Sequence, residues 1–164
     1  MIRIELVPET FPEKELEKKL KEKSIFTNRY AEEYFSHPGF STEKADSCSV
    51  VIVSLSEIGL EEGASLERIR EHISETDLKV CPANTGLFLR LTWKDQVQSS
   101  NSVLTGTHQA PDQAVTVFSE PLEQRDDFPK GLYLRKVDGD LWLRGYVCDD
   151  SYTFPADALF AFVT

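Results

Sequence analysis

The sequence predicts an α+β domain, with helices mainly in the N-terminal half and a mostly antiparallel β-sheet in the C-terminal half. Three observations predict it. The run "CSVVIVSL" (residues 48–55) is β-branched and apolar on both faces, as in a strand covered on both sides. "SLERIREHIS" places Leu66, Ile69 and Ile73 on one helical face behind a capping Ser65, with Glu67 in the first turn. In "GLYLRKVDGDLWLRGYV" two alternating runs flank Asp138-Gly139, a pair suited to the positive backbone dihedrals of a tight hairpin.

The remaining elements follow in chain order. Ile2, Ile4 and Leu6 alternate with Arg3 and Glu5 as in a half-buried strand, which Pro8 ends. A peripheral helix follows in "FPEKELEKKLKEKS": Thr10 and Glu13 have capping-box spacing, Pro12 is tolerated in the first turn, and Leu16 and Leu20 stack one turn apart. Asn28 caps a short second helix carrying Tyr30, Tyr34 and Phe35, stopped by His37-Pro38-Gly39. The Leu66 helix is expected to cover the strand at 48–55. Over residues 87–93 apolar side chains fall on alternate positions (Leu87, Leu89, Leu91, Trp93), which predicts a strand. Further strands are expected in "SVLTGTH", "AVTVFSE" and "ALFAFVT". The chain reads as one domain over 1–164, with an N-terminal strand and helices in 1–47 and a β-rich region in 48–164.

Charge bounds the partners. With 28 acidic and 18 basic side chains the formal charge is -10, which repels a phosphate backbone and opposes binding to nucleic acid or anionic lipid. Residues 1–47 carry ten acids and eight bases, so most of the excess belongs to the β-rich region. A basic protein partner fits this field. Cys48, Cys81 and Cys148 are an odd, widely spaced set, which predicts free thiols and a reducing compartment. With no signal-peptide pattern and no run long enough to span a bilayer, a cytoplasmic location and no membrane partner are expected.

Three segments of the β-rich region carry a resemblance: "DLKVCPANTGLFLRL" (77–91), "DDFPKGLYLRKVDGDLWLRGYVCDD" (126–150) and "YTFPADALFAFV" (152–163). They resemble a bacterial protein family with an LCP element followed by G-x-x-LRL, a DDFPKGFYLRR-x-DG-x-LWLRGY block and an aromatic-rich final strand. The family has no established activity, so the resemblance implies a bacterial origin and one compact unit, and no catalytic residue is carried over. Some members bear a helicase label. This chain has no phosphate-binding Gly-rich loop with a following Lys and is far too short for a helicase motor.

Cys81, before Pro82, is the one candidate nucleophile, and it needs a base that only His37, His72 or His108 can supply. None is adjacent in sequence, and the simpler reading is a buried structural thiol. Neither C-x-x-C nor two histidines one helical turn apart occur, so no zinc site and no cofactor are expected. Asp126-Asp127 and Asp149-Asp150 lie in loops flanking the hairpin, without calcium-loop spacing, and read as solvated turns.

Arg90, Arg135 and Arg144 recur in "FLRLTW", "YLRKVD" and "WLRGYV". They are candidates for binding an anion or a partner's carboxylate, against the plainer reading of solvent-facing strand positions with stems over aromatics. Trp93, Tyr133, Trp142, Tyr146 and Phe154 suit core packing better than a base-stacking platform in so acidic a chain.

The sequence therefore points to a non-catalytic acidic module that recognises another protein, with an antitoxin- or immunity-like role as one version. Arg90, Arg135, Arg144, Asp149 and Asp150 are its candidate binding residues. The alternatives are a small hydrolase or transferase using Cys81 with a histidine, and a small-molecule binder with the arginines around a pocket.

Overall fold

A computed structural model describes residues 1–100 and 112–164. In chain order the elements are β1 (Ile2–Leu6), α1 (Leu16–Glu22), β2 (Ile25–Thr27), α2 (Arg29–Phe35), β3 (Cys48–Ser54), α3 (Leu66–Ile73), α4 (Thr85–Thr92), β4 (Val115–Val117), β5 (Gly131–Val137), β6 (Asp140–Tyr146) and β7 (Leu159–Val163). A single 3-10 turn precedes α1 and another follows β3. Helices and a mixed sheet together bear out the α+β class, and among the described residues every helix precedes residue 93.

Among the described residues the strands form one seven-stranded sheet in the order β1-β3-β7-β4-β5-β6-β2. Four of its pairings are antiparallel, while β2 with β6 and β4 with β7 run parallel. Strands from both halves of the chain thus share one sheet. β3 lies between β1 and β7 and is covered on both faces: Val50 and Ile52 belong to one hydrophobic cluster, Val51 and Val53 to another.

The first cluster packs Leu20, Ala31, Tyr34, Leu87 and Leu89 against Val115, Leu132, Leu134 and Leu143 of the sheet. The second sets Ile69 and Ile73 of α3 against Val51, Val53, Phe160 and Phe162, so α3 covers β3 as its apolar face requires. Two of the three expected caps are present: Asn28 Oδ1 accepts from Ala31 N at 2.9 Å and Ser65 Oγ from Arg68 N at 3.2 Å. The capping box expected at Thr10 and Glu13 does not form: the helical turn begins at Glu13 directly behind Pro12, with no side-chain cap. At the hairpin, Asp138 (φ 50°) and Gly139 (φ 85°) both take positive φ, the mark of a type I′ turn.

The strand expected over residues 87–93 is instead the helix α4. Residues 85–90 are all buried, so burial imposes no period, and the apparent alternation carried no information. Between Gly86 and Leu91 there is no β-branched residue, and leucine and arginine favour the helix. Asn84 precedes α4 without capping it; its amide donates to the carbonyls of Ser41 (2.8 Å) and Lys44 (2.7 Å) instead. The strand expected in "SVLTGTH" lies outside the described residues. No helix among the described residues is long and apolar enough to cross a membrane.

Candidate functional site

Register decides which candidate residues share a surface. Tyr133 lies opposite Arg144 and Arg135 opposite Trp142, so all four project from the same face of the β5–β6 ribbon, away from Leu132, Leu134 and Leu143. Phe26 of β2 pairs with Trp142 and continues that row, its ring 5.2 Å from the indole. The Arg144 guanidinium lies 5.1 Å from the Trp142 ring centre and 6.0 Å from that of Tyr133. Here the expected stem over aromatics is realised.

Arg90 and Arg135 depart from the solvent-facing reading, for both side chains are fully buried. Arg135 donates from Nε to Ser99 Oγ at 2.9 Å, and burial lowers its pKa, with Arg144 adding to the effect and Tyr133 and Asp112 opposing it. Arg90 sits on α4 within the layer between helix and sheet, apart from the other two. Its Nη1 donates to Gln96 Oε1 at 2.6 Å and its Nη2 to the Trp93 carbonyl. Gln96 in turn donates to the carbonyls of Leu134 (2.9 Å) and Gln113 (3.0 Å). The guanidinium thus ties the end of α4 to the segment beside β5. Desolvation depresses its pKa to about 10.

Asp149 and Asp150 follow β6 at the end away from the hairpin turn, so they do not join Arg135 and Arg144. Asp149 Oδ1 accepts from Ser151 N (2.8 Å) and Ser151 Oγ (2.5 Å), which holds its carboxyl below the usual range. The other acidic pair returns to the same end of the ribbon. Lys130 N donates to Tyr146 O at 2.8 Å, closing the open end of the ribbon and bringing the Asp126-Asp127 loop beside the Asp149-Asp150 loop. Between them lies Cys148. Its thiol pKa is raised chiefly by burial, with Asp149, Asp150 and Asp126 adding to the rise and Lys130 opposing it.

The same end holds Val147, an exposed apolar side chain, and Lys130, whose ammonium is buried 3.8 Å from Asp126. Sequence reasoning missed Lys130 and Val147. Neither the burial of a lysine in a non-helical loop nor the exposure of a valine one residue past a strand leaves a mark in sequence.

Cys81 is 2 % exposed, and its Sγ points at the Ala161 carbonyl 3.4 Å away. Burial drives its pKa far upward, opposite to what a nucleophilic thiolate needs. His72 is committed to the Ile58 carbonyl at 2.5 Å and His37 to Glu123 at 2.9 Å; His108 lies outside the described residues. All three cysteines are free thiols. Among the described residues no group of three or more His, Cys, Asp or Glu is placed to hold a metal ion.

A cleft of about 720 Å³ opens elsewhere, between the segment after β1, the 39–48 loop and the start of α4, with Thr10, Ser41, Lys44, Asp46 and Cys48 among its lining. None of the three arginines reaches it. Comparison of the chain with protein-family models, with curated proteins and with solved structures finds no match.

Proposed function

We propose that this protein is a non-catalytic, acidic interaction module that recognises a basic protein partner at the open end of the β5–β6 ribbon. The observation that carries the reading is the backbone bond from Lys130 N to Tyr146 O, which brings the loop of Asp126 and the segment of Asp149 and Asp150 to the same end of the ribbon, beside the exposed Val147. A small apolar centre with an acidic rim is the composition of a protein-recognition patch, in which the charges steer the encounter and the apolar contact holds it. The overall charge of -10 acts in the same direction, favouring approach by cationic surfaces. An antitoxin- or immunity-like role, neutralising a basic partner by covering it, is one form of this function. The bacterial family that the β-rich region resembles is compatible with it.

The test is affinity capture from a bacterial lysate with the wild-type chain and with Val147→Arg. That substitution removes the apolar centre and adds a charge that repels a basic partner, at a position exposed enough to leave the fold intact. Cross-linking is expected to map the captured protein to residues 126–127 and 147–150, and Val147→Arg to abolish capture. A partner retained by Val147→Arg, or mapped to another face, contradicts the proposal.

A further inference from the structure

β1 is an edge strand. It pairs with β3 on one side and closes the sheet on the other, and its five residues contain neither proline nor bulge to blunt that edge. Exposed apolar side chains gather at its ends: Met1, Ile2 and Val7 are three of the six large hydrophobics exposed among the described residues. Arg3 and Glu5 are exposed as well and lie on one face, on either side of Ile4.

We infer that β1 pairs with β1 of a second copy of this chain, antiparallel and about a two-fold axis at Ile4, to join the two sheets edge to edge. The sequence of the strand is self-complementary about that point. A two-fold axis perpendicular to the sheet keeps the two faces continuous, so only registers that pair residues of like parity are allowed. Centred on Arg3, the pairing sets Arg3 against its own copy. Centred on Glu5, it sets Glu5 against its own copy. Centred on Ile4, it sets Arg3 against the second copy's Glu5 twice over, Ile2 against Leu6, and Met1 against Val7. Opposite charges and apolar pairs directly across strands stabilise a ladder, and like charges there destabilise it. Pro8, which has no N–H to give, falls just beyond the seam. In the single chain Arg3 donates to Ser49 Oγ (2.9 Å) and Thr164 Oγ1 (3.3 Å) and Glu5 accepts from Ser49 Oγ at 2.8 Å, contacts on the β3 side of the strand that both side chains exchange in part for each other's copy across the seam. The seam is narrow against the roughly 1,600 Å² of a standard interface, so the dimer is expected to dissociate on dilution.

Sedimentation velocity across a dilution series tests this with the wild-type chain, Arg3→Glu, Glu5→Arg and a one-to-one mixture of the two variants. The wild type is expected to form a dimer, and each single reversal to weaken it about tenfold or more, since both cross-strand pairs become like-charged. The mixture is expected to regain wild-type association as a heterodimer, because every pair is again opposite. A wild-type chain that stays monomeric at millimolar concentration, a dimer indifferent to both reversals, or folded variants that fail to associate when mixed overturns the inference. Hydrogen exchange of the wild-type β1 amides covers the case of a variant that does not fold. Exchange over residues 2–6 is expected to slow as concentration rises, and exchange independent of concentration overturns the inference equally.

Discussion

Asn28 and Gly145 grip each other through two hydrogen bonds: Gly145 N–H donates to Asn28 Oδ1 at 2.8 Å, and Asn28 Nδ2 donates to the Gly145 carbonyl at 3.0 Å. The same Oδ1 caps α2 through Ala31 N, so one side chain fastens the start of the helix to the backbone of β6. The approach is so close that a Cβ on Gly145 would lie 2.5 Å from the Tyr30 carbonyl carbon and 2.7 Å from Ala31 N. Gly145→Ala must therefore push α2 off the sheet and is predicted to cost about 3 kcal/mol or more. Asn28→Ala, losing the cap and both cross-links, is predicted to cost about 2 kcal/mol. Denaturant midpoints at constant slope measure both.

Gly139 offers the opposite case. Nothing lies within 4 Å of where its Cβ would be, yet its φ is 85°. A Cβ there has open space, so Gly139→Val is predicted to act through backbone strain, at roughly 1 to 3 kcal/mol. An unchanged unfolding midpoint would remove the type I′ assignment.

Cys81 is predicted to react with alkylating reagents more slowly than a free thiol in the native protein and at an ordinary rate once unfolded. Cys81→Ala is expected to cost on the order of 1 kcal/mol. The pH dependence follows from the raised folded-state pKa. Below the unfolded thiol's pKa of about 8.5 both states keep the proton and the thiol contributes no slope; above it the unfolded chain ionises first, so stability falls as pH rises. Cys81→Ala should flatten that alkaline fall. Fast labelling of native Cys81 at neutral pH would revive a nucleophilic role.

Arg90→Leu is predicted to destabilise the protein by roughly 2 to 4 kcal/mol, because the Trp93 carbonyl and Gln96 Oε1 lose their buried donor. A substitution at a solvent-facing arginine would sit within about 0.5 kcal/mol of neutral. Thermal or chemical melts of this variant separate the two.

Local chemistry made several elements legible in advance: the caps at Asn28 and Ser65, the hairpin at Asp138-Gly139 and the doubly covered β3 each depend on neighbours in sequence. α4 was not, because a segment buried on all sides shows no hydrophobic period, and its alternation of leucines mimicked a strand. The candidate site was legible residue by residue but not as a set. Arg90, Arg135 and Arg144 share a motif in sequence, yet only the last two share a face, since Arg90 lies on a helix across the sheet. Asp126 and Asp149, 23 positions apart, lie at the same end of the ribbon because β5 and β6 pair over their whole length and return the chain there.

The central claim, recognition of a basic partner at that acidic end, is tested most directly by association kinetics. The captured partner is measured against the wild-type chain and against the double variant Asp149→Asn with Asp150→Asn, between about 50 and 300 mM salt. The predicted result is an association rate that falls as salt rises and is lower for the double variant at low salt, with dissociation changed far less. An association rate indifferent both to salt and to the two substitutions would contradict the account.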